Sequence, residues 1–280
     1  MGIIDGKMVA SQIKENLTTE VQSLKKKTGK TPGLAVVLVG DDPASAVYVR
    51  NKNKTCNNIG FLSFENILPA NTSESELLNL IHKLNNDEKV NGILVQLPLP
   101  SHISSKKILE AINPQKDVDG FHLENVGRLV TGNSLFKPCT PAGIIKLLDK
   151  YDVKIEGKNA VILGRSNIVG KPVAFLLLER NATVTICHSR TKNLTNLARS
   201  ADILIAAIGK PNFVTADMVK DNSVVIDVGI NRVAGKLVGD VDFSSVVKKV
   251  SLITPVPGGV GPMTIAMLME NTFRSFKNSL

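Results

Sequence analysis

Tyr48 and Lys52 stand four residues apart with Ser45 about one turn earlier, so on a helix the three side chains share one stripe. A phenol and a primary amine within reach of each other are groups that can move protons. Lys54 does not belong to the stripe, because six residues from Tyr48 amounts to about 240 degrees around a helix. A Tyr/Lys pair also occurs on ordinary solvated faces, so its meaning depends on its company. Gln96 closes the apolar run that begins at Gly92, and Pro98 then ends the strand's capacity to donate. The amide therefore lies near the carboxyl end of a strand, the edge where open α/β sheets bind ligands, unless neighbouring backbone satisfies it. Asp117 and Asp119 fall in an acidic turn, Asp117-Val-Asp-Gly-Phe121, with no periodic pattern on either side. Two carboxylates there fit a metal site, a helix cap or an acceptor for a cationic or amide-rich ligand. Metal fits least, since no third carboxylate is near and His122 follows too closely to turn the same way.

A second constellation lies further along, in Gly164-Arg-Ser-Asn-Ile-Val-Gly170. The apolar run 160–163 reads as a buried parallel strand, and Gly164, Ser166 and Gly170 form a tight turn into a helix with Pro172 in its first turn. Bare amides and a helix N-terminus make such a turn a cradle for a pyrophosphate. Ser166 stands where the usual dinucleotide fingerprint has glycine, so the motif also fits an ordinary strand turn. The next strand, 183–187, runs into His188-Ser-Arg-Thr-Lys192. No acid is placed there to hold a ribose 2′-hydroxyl, whereas Ser189, Arg190 and Lys192 suit a 2′-phosphate. A dinucleotide bound here is expected to be NADP.

Positioning these groups takes alternating strands and helices. Helical periodicity covers 7–27, and 33–40 reads as a buried strand. Asp42 and Pro43 open the helix bearing Tyr48 and Lys52, and Gly60 closes it. A strand at 61–67, a capping box at Ser73 to Glu76, the strand ending at Gln96 and a helix near 104–112 follow. Pro-bounded 137–143 is the linker between halves and leads into a helix over 142–150. Strands at 201–209 and 223–230, separated by a short helix near 215–219, continue the second half. Residues 231–242 read as a hairpin-like excursion and a candidate subunit contact. The Pro/Gly loop 254–262 lets backbone approach a flat ring, and Pro262 starts a last helix expected to pack on the first half.

With 280 residues, two α/β domains are expected. No apolar run is long enough for a membrane span and the start lacks a leader pattern, so a cytoplasmic protein is expected. Cys56, Cys139 and Cys187 are scattered and odd in number, arguing against disulfides and zinc and for thiols of the core or thiols backing a site. The net charge of +9 is spread along the chain and aromatics make up only 4%, so the charge favours small anionic ligands over nucleic acid.

Five motifs in order, Tyr48-Val-x-x-Lys52-x-Lys54, Val95-Gln-Leu-Pro-Leu-Pro100, Asp117-Val-Asp-Gly120, Gly164-Arg-Ser-x-x-Val-Gly170 and Pro255-Val-Pro-Gly-Gly-Val-Gly-Pro-Met-Thr264, closely resemble the bifunctional methylenetetrahydrofolate dehydrogenase/cyclohydrolase family. The likeness spans nearly the whole chain, and the family's own phosphate turn carries the serine found at Ser166. It implies an N-terminal α/β/α folate domain (1–138 with 266–280), a C-terminal Rossmann-like NADP domain (139–265), a cleft between them and a homodimer. Tetrahydrofolate derivatives are the implied substrates. The family's catalytic lysine, tyrosine and glutamine fall on Lys52, Tyr48 and Gln96, and its pterin-binding aspartate on Asp119. Its NADP contacts fall on Gly164, Arg165, Ser166, Ser189 and Ile230, with Arg165 and Ser189 near the 2′-phosphate. The implied chemistry is NADP-dependent oxidation of a methylene bridge followed by hydrolysis of the methenyl product. In that setting Lys52 is expected to be partly neutral, its proton affinity lowered by burial. A dehydrogenase without hydrolase activity and a non-catalytic NADP-sensing module are the alternatives.

Overall fold

The computed structural model describes residues 2–280. They divide into two compact units, one of Gln12–Cys139 with Ile265–Leu280, the other of the start of the chain through Ser11 with Thr140–Thr264. The first residues thus differ from the expected grouping of 1–138. Strand β1 (Gly2–Ile3) pairs in parallel with Leu252–Ile253, and Ile4, fully buried, donates its N–H to the Ile253 carbonyl at 2.8 Å. Two ladder residues carried too little pattern to read as a strand. Helix α1 (Gly6–Thr28) matches the periodic stretch, burying Val9, Leu17 and Val21, and stops at Gly29, whose φ of 71° is left-handed.

The first unit is built on a three-stranded parallel sheet of β2 (Gly33–Val39), β3 (Leu62–Leu68) and β4 (Gly92–Val95), in the order β3-β2-β4. Every residue of β2 and β4 is buried, as their unbroken apolar runs require of parallel strands covered on both faces. Helix α2 (Pro43–Ile59) opens where Asp42 accepts the Ser45 N–H at 2.7 Å and closes at Gly60, φ 89°. Helix α3 (Glu74–Asn86) starts at a complete capping box, Ser73 Oγ accepting from Glu76 N and Glu76 Oε2 from Ser73 N. Such a cap is worth about 1 kcal/mol. Leu77 and Ile81 of α3 meet Val37, Ile93 and Val95 in one core, joined by Ile108 of α4 (Ser105–Ala111). A helix not anticipated, α5 (Leu123–Val130), follows the acidic turn. It buries only Asn125 and Leu129 and leaves Leu123 and Val130 exposed, too short a stripe to show a period.

After the N-terminal segment the chain returns to the second unit along α6 (Cys139–Lys150), which starts three residues ahead of its expected position. Its sheet takes β5 (Asn159–Leu163), β6 (Thr183–Cys187), β7 (Ile203–Ala206), β8 (Val224–Asp227) and, at its far side, β11 (Leu252–Ile253) beside β1. Helices α7 (Gly170–Glu179), α8 (Leu194–Arg199) and α9 (Phe243–Val246) connect them, and β9 (Asn231–Val233) with β10 (Lys236–Val238) forms the expected hairpin. The order β1-β11-β8-β7-β5-β6 is parallel throughout. Register pairs Leu163 with both Cys187 and Ala206, so the turns after β5, β6 and β7 leave the sheet at one edge. The chain passes from one side of β5 to the other there, the switch point at which open α/β sheets bind ligands.

Helix α10 (Val260–Asn278) begins two residues before Pro262. From Ile265 on it belongs to the first unit, as its apolar stripe required, with Met269 against Cys56 and Ser275 Oγ 2.6 Å from the Asn91 carbonyl.

Candidate active site

In the first unit, helical geometry turns two members of the α2 stripe inward. Lys52 is 9% exposed and Ser45 4%, while Tyr48 sits at the solvent edge and Lys54 is exposed. Lys52 Nζ donates to Gln96 Oε1 at 2.9 Å, and Gln96 Nε2 donates to the Leu97 carbonyl at 2.7 Å. Backbone thus takes one end of the Gln96 amide, and the other end holds the amine. Burial lowers the proton affinity of Lys52, opposed by the charge of Asp119 nearby. For Asp119 burial pushes the carboxyl up to about 6; Lys52 opposes this, Asp117 adds to it, and the neighbouring Cys139 thiol opposes it again. The Cys139 thiol, driven well above its usual range by burial, remains a donor.

Asp117 and Asp119 differ in what they face. Asp117 is buried, and its oxygens accept from Phe121 N at 3.2 Å, His122 N at 2.8 Å and Asn125 Nδ2 at 2.8 Å. It braces the turn into α5. Asp119 is partly buried and lies beside Lys52. Asn271 of α10 pins the segments on either side, donating to the Val118 carbonyl at 2.8 Å and the Lys137 carbonyl at 3.0 Å. Among the described residues no three His, Cys, Asp or Glu side chains gather as a metal site.

In the second unit, Gly164, Arg165, Ser166 and Ser189 line one cavity of about 320 Å3, with His188, Lys210 and Phe213. Gly164 has a φ of 120°, and a Cβ there would lie 2.1 Å from the Ala207 carbonyl oxygen. A side chain is thus excluded where β5 turns, leaving bare backbone at the mouth. Gly170 is equally tight, 2.3 Å from the Gly164 carbonyl oxygen. Ser166 Oγ accepts from Val169 N and Gly170 N, both at 3.2 Å, so this serine organises the first turn of α7. That explains how the turn forms without the usual central glycine. These features fit a dinucleotide: bare backbone and a helix start for a pyrophosphate, and Arg165, Ser189 and Lys210 in the lining for a further phosphate. Ile230 does not line this cavity; it lies just past β8, 46% exposed, with its Cδ1 3.8 Å from where a Cβ on Gly261 would sit.

Two contributors are not singled out by the sequence. The three cysteines read alike as thiols of the core or thiols backing a site, and only the fold sets Cys139 beside Asp119. Lys210 follows Gly209 just past the carboxyl end of β7, and the strand-end rule that selected Ser189 would have selected it too.

A buried amine with amide and carboxylate partners on one α/β unit, and a phosphate turn at the switch point of a parallel sheet on the other, define a two-domain, nucleotide-dependent enzyme of the dehydrogenase class. The chain belongs to the tetrahydrofolate dehydrogenase/cyclohydrolase family: residues 4–119 match its catalytic domain and residues 138–280 its NAD(P)-binding domain. It is 59% identical to the bifunctional protein FolD of Campylobacter hominis over 281 residues, covering 100% of this chain and 99% of that one. Its fold superposes on the crystal structure of the bifunctional FolD dehydrogenase/cyclohydrolase from Campylobacter jejuni with a TM-score of 0.98, at 55% identity and full coverage of both chains. It likewise matches the Trypanosoma brucei dehydrogenase-cyclohydrolase complexed with NADP and inhibitor, at TM-score 0.95 and 42% identity, covering 99% and 97% of the two chains.

Proposed function

We propose that the chain oxidises 5,10-methylenetetrahydrofolate to the 5,10-methenyl cation with NADP+, and then adds water to that cation to give 10-formyltetrahydrofolate and a proton. The observation that carries this reading is the Lys52–Gln96–Asp119 cluster, in a family whose members join the two activities. NADP supplies a two-electron acceptor for hydride, and Gly164, Arg165, Ser166, Ser189 and Ile230 would hold it, the last at the ring end. Loss of hydride is assisted by the lone pairs of the two folate nitrogens flanking the carbon, so this step needs alignment rather than a base.

Hydrolysis needs more, because water must lose a proton as it adds. Lys52, desolvated and held by Gln96, is the group to take it, and a neutral amine also avoids repelling the substrate cation. Tyr48, one turn away on the same helix, orients the amine. Asp119 accepts paired hydrogen bonds from a pterin amide and amino group, fixing which ring face is presented.

We further propose a homodimer and a cytoplasmic setting. Edge strand β3 supports the first, exposing Ile67 at 62% and Leu62 at 41% along an unpaired margin; a monomer in sedimentation would remove it. The second is supported by three buried free cysteines, with no helix among the described residues long and apolar enough to cross a membrane.

An assay following methenyl absorbance with NADP and then NAD tests the whole reading. The expected result is NADP-dependent formation of methenyl followed by its decay. Accumulation of methenyl would mean a dehydrogenase alone, and no product would mean a sensor.

A further inference from the structure

Asp240 is completely buried, and its carboxylate is saturated by donors from two segments far apart in the chain. Oδ2 accepts the backbone N–H of Ile208 at 2.7 Å and of Gly209 at 2.9 Å; Oδ1 accepts that of Lys210 at 2.9 Å and Asn231 Nδ2 at 3.0 Å. Three successive amides thus converge on one anion, fixing the 208–210 turn after β7. That turn supplies Ile208 and Lys210 to the wall of the 320 Å3 cavity. The fourth bond fixes Asn231, the neighbour of Ile230. Asp240 is itself held, its N–H donating to Asp227 Oδ1 at 2.9 Å. Gly229 and Gly239 permit this closeness, since a Cβ on either would fall 2.3 Å from Asp240 Oδ1 or 1.8 Å from Asp227 Oδ2. None of these bonds is spent within a strand ladder or a helix. They join loops.

We infer that Asp240 is a positioning residue for the cofactor: one carboxylate sets the turn that walls the cavity and, through Asn231, the segment that carries Ile230. The inference rests on the reading above that NADP occupies this cavity. Replacing one carboxylate oxygen by an amide leaves two of the four donors facing another donor, whichever way the side chain turns.

The test is a direct titration of NADP onto the full-length protein, paired with methenyl hydrolysis assayed without NADP. Asp240→Asn is expected to raise the NADP dissociation constant about tenfold, the size of one or two lost charge-assisted hydrogen bonds, and to leave hydrolysis within about twofold. Should Asp240→Asn fail to fold, Asn231→Ala decides, with an expected weakening of about threefold from one lost bond. Unchanged NADP affinity in the folded variants, or hydrolysis falling in proportion to it, would overturn the inference. Arg165→Ala separates the two readings: if it leaves NADP affinity unaltered, NADP lies elsewhere and the cavity assignment fails; if it weakens binding while Asp240→Asn does not, only the role of Asp240 fails.

Discussion

The Lys52 cluster and the cavity after β5 handle charge in opposite ways. Around Lys52, a few ionisable side chains are taken out of water, and burial moves Lys52 and Asp119 towards their neutral forms. Around Gly164, by contrast, the work falls to main chain, a helix start and exposed side chains such as Arg165 and Ser189. The difference follows from the task. A group that must give and take protons needs a proton affinity brought towards neutrality, which desolvation supplies. A group that must grip a phosphate needs a fixed charge and donors that do not titrate. Buried and tuned on one unit, exposed and permanent on the other, the two sets should respond differently to the same kinds of change.

The largest expected separation comes from Lys52→Met. Hydrolysis should fall about a thousandfold, as for removal of a general base, while NADP reduction falls about tenfold or less. Equal loss in paired assays would erase the division of labour. Asp119→Asn comes next, with KM for the folate up roughly thirtyfold from weakened charged hydrogen bonds and NADP affinity unchanged; an unaltered KM would remove Asp119 from the site. Ser189→Glu should lower the NADP/NAD preference about tenfold through like-charge repulsion at the 2′-phosphate, and a constant ratio would put that phosphate elsewhere. The smallest effect is in pH. With its carboxyl at about 6, Asp119 is mostly ionised at neutrality and gains a proton as the pH falls. Folate affinity should therefore drop about fourfold between pH 7 and 5.5, from the ionised fraction alone. Flat folate binding across that range would show that Asp119 does not bind as a carboxylate.

Local signals made much of this readable in advance. Asp42, Pro43 and Gly60 bounded α2, and a spacing of four placed Tyr48 and Lys52 on one stripe, because caps and periodicity act within a few residues. Gln96 was legible as a polar residue ending an apolar strand. What stayed hidden depended on long-range contact or on weak pattern. Helix α5 has two buried residues and no period, and β1 has two residues whose partner lies some 250 positions away. Cys139 gains meaning only when the 137–139 segment is pinned beside Asp119 by Asn271, and Asp240 only when three separated segments meet. Spacing cannot report such meetings.

The claim on which the account turns is that hydrolysis runs on an amine made easy to deprotonate by its surroundings. Titrating Lys52 Nζ by 15N NMR in the wild-type protein tests it directly. A midpoint clearly below the ordinary lysine value of 10.5 is the predicted result, tracking the rise of hydrolysis with pH. A midpoint at or above 10.5 would contradict it.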